Sequence, residues 1–376
     1  AKALVDKAHQ LGMYVFFDGV FGHHKGTVAP SPSGRKPASS KRRAKYPGSL
    51  KFYEEVATYW IDTLGIDGWR LDQAQQVPVQ YWEEIRQAVE ATCRERYAAG
   101  KKWGTLGYMV AEVWAGETDI ARQAYGNRDS VGLYSAFDFP VRYRLVQCLA
   151  VEESGKGRKP ASILAEGYAT HQVYPHHAIP NLMLSSHDLV RFGDLIQRAG
   201  LSGKENPHYW KRHQCAFSFM AAYTGPITIY YNDEIGYELE GFAKRVTERC
   251  WEKNLCDDHV SRTPGKISGL TTKEQDLKNY VARLMRFRDV HPALWKGKRT
   301  NLIATEHIYA DLKEFDGDRI LYILNVSPQE RTVSLSQSIL GTQILIDSDD
   351  HKKIMAADGE FRIHLPGLCG QFFIVE

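Results

Sequence analysis

Cysteine is scarce: six residues in 376, and no two of them form a Cys-x-x-Cys pair. That excludes a disulfide framework and argues against a zinc ribbon or a thioredoxin-type site. Cys250 and Cys256 are close enough in sequence to bond if the loop between them turns back, but free buried thiols are the expected state. Long apolar runs are missing too. Nowhere do ~18 apolar residues follow one another, so no helical membrane span is expected. An excess of one charge is also lacking. Forty-eight basic residues face 45 acidic ones for a net charge of +3, which predicts no nucleic-acid partner. The glycine turn that cradles phosphate after the first strand of a doubly wound sheet does not occur.

The chain opens inside a pattern rather than with a Met or a signal peptide. Leu4, Val5, Ala8 and Leu11 fall at helical spacing, with Gly12 as the stop. Upstream sequence is expected, and no compartment follows from the start. One segment breaks the charge balance: Arg35 to Lys45 carries six basic residues and no acidic one. Its Pro and Ser content marks a loop, and a solvated surface loop is the expected role.

What is present is a mixed globular composition, 43% apolar and 25% charged, ample for a large core. Apolar runs alternate with amphipathic helical stretches. MYVFFDGVF (Met13 to Phe21) is extended. KFYEEVATYWIDTLG is a helix with Phe52, Val56, Tyr59, Trp60 and Leu64 on one face. IDGWRLD, LGYMVAEVW, YSAFDF, NLMLSSHD and PITIYYNDEIG are further extended runs, with helices between them near Tyr81 to Arg96 and Tyr209 to Tyr223. At least six such alternations predict a parallel sheet. The runs are apolar in the middle and polar at their C-terminal ends, as a (β/α)8 barrel requires, because its interior is packed and its chemistry sits at the C-terminal rim. After Pro292 the pattern changes to short β runs separated by turns. The expected organisation is therefore α/β, a (β/α)8 TIM barrel over residues 1–292 with a short insertion at about 25–48, followed by an all-β sandwich over 293–376.

Three carboxylates close three of these runs: Asp72 after GWRL, Glu112 after YMVA and Asp188 after LMLSSH. One such residue is often a helix cap. Three on separate strands converge on one rim. Carboxylate pairs of this kind suit glycoside hydrolysis, in which one attacks the anomeric carbon and another protonates the leaving oxygen.

Four blocks in order, DGVFGHH (Asp18 to His24), GWRLDQAQQ (Gly68 to Gln76), EVW (Glu112 to Trp114) and SSHD (Ser185 to Asp188), resemble those of the α-amylase family of glycoside hydrolases (family 13). GPITIYYNDEIG and MRFRDVHPAL are weaker matches, and the resemblance covers nearly the whole chain. It implies that only the third to eighth barrel strands lie in this chain. It also implies that Asp72 is the nucleophile, Glu112 the general acid/base and Asp188 the transition-state stabiliser. Arg70 would orient Asp72, His23 and His187 would bond sugar hydroxyls, Asp18 would support Arg70, and Arg191 would help hold the site. Trp69, Trp114 and Tyr231 fall near rim positions where rings stack on sugars.

The sequence departs from that pattern in two informative places. Gly22 replaces an Asn that ligates calcium in many members, so no calcium is expected there, although calcium elsewhere stays open. No other cofactor is expected. Gln75 and Gln76 replace Lys-His, which argues against a starch endo-amylase and for an exo-acting or oligosaccharide-directed enzyme, or one that transfers glucosyl units. The expected activity is retaining hydrolysis of α-1,4 bonds in malto-oligosaccharides or α-glucans. The alternatives are a 4-α-glucanotransferase using the same intermediate and a non-catalytic carbohydrate-binding member. The expected partner is an oligosaccharide or polysaccharide, not a nucleic acid or a membrane.

Overall fold

The structure, a computed structural model, describes residues 1–201, 203–239, 241, 242 and 260–376. Cys250 and Cys256 lie outside the described residues, while Cys93, Cys148, Cys215 and Cys369 are free thiols. No helix among the described residues is long and apolar enough to cross a membrane. The chain divides into two compact units, residues 1–139 with 170–181 and residues 140–169 with 182–376.

The first unit begins with helix α1 (Lys2–Gln10) and strand β1 (Phe16–Gly19). The strand is shorter than the apolar run around it, and Met13 and Tyr14 are exposed. Of the apolar positions in α1, only Val5 is fully buried; Leu4, and Leu11 just past the helix end, are exposed. A small hairpin follows, β2 (Ser39–Ser40) and β3 (Arg43–Ala44), within the stretch expected to be all loop. Helix α2 (Leu50–Leu64) ends at Gly65, whose φ of 77° is the left-handed cap that glycine takes without strain. Its buried stripe is Leu50, Phe52, Tyr53, Ala57 and Ile61. Tyr59 falls off that stripe and is exposed, because the four-residue steps from Tyr53 to Ile61 set the face and not the aromatic at 59. Strand β4 (Gly68–Leu71), helix α3 (Val79–Ala98), strand β5 (Tyr108–Ala111) and strand β6 (Ser135–Phe137) complete the alternation. Trp82, Ile85, Val89 and Cys93 form the buried stripe of α3.

The strands pair in parallel in the order β1, β4, β5, β6, and the start of β7 (Ile179–Met183) adds to β6. Register matters for the chemistry. Asp18 lies opposite Arg70, and Arg70 opposite Val110. Strand side chains alternate faces, so Asp18, Arg70, Asp72 and Glu112 emerge on one face. Trp69 takes the other face. It is 3% exposed and its indole N–H donates to the Ala57 carbonyl at 3.1 Å. Trp69 is therefore a core ring packed under α2 and not the sugar-facing ring expected at the rim.

In the second unit the end of β7 pairs in parallel with β8 (Ile227–Thr228). The main helices are α4 (Phe192–Arg198), α5 (Pro207–Ala222) and α6 (Thr272–Val290). Asn206 caps α5 by accepting the His208 N–H at 2.9 Å. Thr271 and Glu274 form a reciprocal capping box on α6. From Lys298 the chain is antiparallel: a six-stranded sheet faces a two-stranded one made of Arg331–Ser336 and Glu360–Leu365. The β run of alternating burial in Glu360–Leu365 places Phe361, Ile363 and Leu365 in a core with Leu321, Ile323 and Phe373, the expected sandwich. This sheet joins α5 within the unit. The Ser218 hydroxyl meets the Tyr322 hydroxyl at 2.9 Å, and a Cβ on Gly370 would lie 1.9 Å from the Ser218 oxygen, so only glycine fits there. Lys313 reaches across the same seam to donate to Thr224. Burial lowers its pKa to about 7 although Asp311 pulls the other way.

Candidate active site

Arg70 organises the carboxylates of the first unit. Its guanidinium donates to Asp18 at 2.7 Å and Asp72 at 2.8 Å through one nitrogen, and its other terminal nitrogen lies 2.7 Å from Glu112. Burial works against its charge, but Glu112, Asp18 and Asp72 outweigh that and hold its pKa above the usual guanidinium value. A planar fork of fixed donors is what such a three-carboxylate arrangement needs; a lysine point charge would not fix the angles. Asp72 and Glu112 offer carboxylate oxygens within 4.8 Å of one another. Glu112 is the more enclosed, with 9% of its side chain exposed against 17% for Asp72. The Gln73 N–H donates to Glu112 at 3.1 Å. Gln73 has a φ of 43°, so the backbone turns left-handed directly after Asp72 to present that donor.

His23 stands beside this group. Its Nδ1 lies 2.8 Å from the Gln76 side-chain oxygen, and its Nε2 lies 4.0 Å from Asp72. Gln76 in turn donates to the Gln73 side chain at 2.5 Å. The sequence singled out Gln76 only as a missing histidine. The fold uses it to orient His23, a contact across 53 residues that no local pattern announces. Gly22 belongs to the same arrangement. A Cβ at position 22 would lie 2.4 Å from the Gln76 Cβ, so the space is already taken. Gly22→Asn is expected to cost about 1–3 kcal/mol of stability by overpacking and to displace His23; a urea titration beside a KM measurement checks both.

In the second unit Asp188 follows the end of β7. His187 lies 3.0 Å from it, and Arg262 donates to it as well as to the His187 carbonyl at 3.1 Å. Its backbone N–H donates to the Ser186 hydroxyl at 3.2 Å. Arg262 lies in a stretch with no motif, and nothing in the sequence pointed to it. Arg191 is not at the surface of the site. It is 1% exposed, donates to the Tyr231 carbonyl at 2.7 Å and Asp233 at 3.2 Å, and lies over the rings of Tyr230, Tyr231 and Tyr237. It braces the segment after β8 from within. Burial raises Asp233 to about 7 against the pull of Arg191. Two of the three expected rim rings are accessible: Trp114 at 43%, stacked on Phe139, and Tyr231 at 42%.

A family model described as "Alpha amylase, catalytic domain" matches residues 49–296. The chain is 26% identical over 373 residues to a cyclomaltodextrinase of Thermoanaerobacter pseudethanolicus, covering 90% of this chain and 56% of that protein. It is 23% identical to neopullulanase 2 of Thermoactinomyces vulgaris, covering 97% and 60%. The chain thus spans little more than half the length of these curated relatives. Among solved structures, an AmyP variant in complex with maltotriose superposes with a TM-score of 0.95 at 48% identity, covering 100% of this chain and 78% of that one. An α-amylase of Geobacillus thermoleovorans in complex with acarbose shares the fold, with a TM-score of 0.77 at 18% identity.

Proposed function

Because the chain belongs to the α-amylase family of glycoside hydrolases, we propose that it cleaves α-1,4-glucosidic bonds in malto-oligosaccharides with retention of configuration. The observation that carries this reading is the Arg70 fork, which holds Asp72 and Glu112 with carboxylate oxygens within 4.8 Å. A retaining enzyme holds its two carboxyl groups roughly 5–5.5 Å apart, and carboxylate oxygens this close favour that arrangement over the wider one of an inverting enzyme.

Asp72 is the nucleophile. It attacks the anomeric carbon from the face opposite the leaving sugar, and Arg70 keeps it oriented. Glu112, protonated at that moment, gives its proton to the glycosidic oxygen, so the leaving sugar departs as a neutral alcohol. In the second step Glu112 takes a proton from water, the water oxygen bonds the anomeric carbon, and the bond to Asp72 breaks. Asp188 is assigned the stabilisation of positive charge at the anomeric carbon, and His187 and His23 the sugar hydroxyls, on their places in the family's blocks. Asp18 acts by holding Arg70.

No calcium is assigned to the first block. Glycine offers no side-chain oxygen, and Gln76 fills the space that a ligand at position 22 would need. The reaction as written needs no organic cofactor. Small substrates are favoured because Gln75 and Gln76 stand where starch-cleaving members carry Lys-His, and because named relatives include cyclomaltodextrinases and maltogenic amylases.

Incubation with maltotetraose tests the proposal. Glucose, maltose or maltotriose should appear. Longer chains as the main products would instead make the protein a glucanotransferase, and no turnover by the folded protein would favour a binding role.

A further inference from the structure

Among the described residues the basic segment Arg35–Lys45 makes no ion pair with Asp72 or Glu112, yet the fold pairs it with the segment that carries His23. Its tip is the hairpin of β2 and β3, in which Ser40 pairs with Arg43 and only Lys41 and Arg42 turn the chain. Both have positive φ, 50° and 69°. A two-residue turn of that kind is usually Asn-Gly, because bulky side chains are strained in it. Here it holds two cations instead. β3 also pairs with the segment that carries His23. Arg43 bridges His23 directly, with the His24 N–H donating to the Arg42 carbonyl and the Ala44 N–H to the Gly22 carbonyl, each at 3.0 Å. Those flanking bonds make His23 and Arg43 a non-hydrogen-bonded antiparallel pair, the arrangement in which facing side chains are closest and share one side of the ladder. Arg43 therefore emerges on the same side as the imidazole that approaches Asp72.

Arg35 is tied to Glu55 at 3.3 Å. Among the described residues no carboxylate lies within 4.0 Å of Lys36, Lys41, Arg42, Arg43 or Lys45, and all five side chains are exposed. Two of these cations on a strained turn, and a third paired with a histidine that lies 4.0 Å from Asp72, are poorly explained as solvation. The rest of the chain is nearly neutral, so they do not belong to a general polyanion-binding surface.

We propose that the hairpin Ser39–Ala44 is a phosphate-recognising arm that selects α-glucan chains bearing a phosphate ester near the bond to be cleaved, with Arg43 making the principal contact. A phosphate monoester carries close to two negative charges and three acceptor oxygens, which suit a guanidinium fork reinforced by neighbouring lysine and arginine. The ester group stays intact; the arm only binds it. This inference rests on the glycosidase reading, because the arm is useful only beside a glucan site.

The test uses the Asp72→Asn protein, so that substrate survives, and titrates maltotetraose, maltotetraose 6-phosphate and inorganic phosphate by calorimetry. The phosphorylated sugar should bind about tenfold tighter than the neutral one at low salt. That advantage should shrink in high salt and vanish in a variant that adds Lys41→Ser, Arg42→Ser and Arg43→Ser. The ratio is taken within each protein, so a partly unfolded sample does not alter it. Equal affinity for the two sugars overturns the proposal while leaving the glycosidase reading intact. Inorganic phosphate binding as tightly as the phosphorylated sugar also overturns it, by showing a free-anion site. If neither sugar binds, both readings fall.

Discussion

Asp72→Asn is expected to lower kcat on maltotetraose by about 10⁴-fold or more, the scale on which removing a nucleophile acts in enzymes that work through a covalent intermediate. The amide is nearly the same size and can still bond Arg70, so folding and sugar binding should persist. What is lost is the carboxylate's negative charge, and with it the nucleophilic oxygen that forms the glycosyl bond. The variant also removes one of the three charges balanced on Arg70, so its melting temperature should be compared with that of the parent. A well-folded variant with less than a tenfold loss would remove Asp72 from the role of nucleophile.

The second large effect concerns Glu112. Glu112→Gln cannot donate or accept the proton, and general acid–base catalysis contributes typically 10²–10⁴-fold. Maltotetraose, whose leaving group is a poor one, should lose activity at the upper end of that range. Maltosyl fluoride needs no protonation to depart, so its first step should be largely spared. Its second step still lacks a base, so the glycosyl-enzyme should accumulate. Added azide, which attacks without giving up a proton, should restore turnover. An equal loss on both substrates, with no azide rescue, would mean that Glu112 serves geometry and not proton transfer.

Much of this site could be read in the sequence because strand chemistry is local. A carboxylate directly after an apolar run sits at a strand end whatever its neighbours are. The two-residue step from Arg70 to Asp72 puts both on one face. That same alternation also turns Trp69 into the core, where Ala57 receives its N–H, although a tryptophan beside a catalytic block invites a sugar-stacking role. The contacts across long separations were not legible. Gln76 orients His23, and Arg262 reaches Asp188 across 74 residues, through contacts that only the folded chain creates. Arg191 illustrates the limit from the other side. Its place near a block marked it as part of the site, but three aromatic rings and an aspartate enclose it, and burial is a property of the packed chain. The basic hairpin was visible as charge. Its pairing with His23 was not, because neither Lys41 nor Arg42 is a residue from which a tight turn would be expected.

The central claim is a covalent intermediate on Asp72, and it carries a stereochemical signature. Two successive displacements restore the configuration of the anomeric carbon. Proton NMR of fresh maltotetraose hydrolysate, recorded before the product sugars equilibrate, should show the α-anomer forming first and the β-anomer appearing only at the rate of mutarotation. If the β-anomer forms first, water attacks directly, and Asp72 is not the nucleophile.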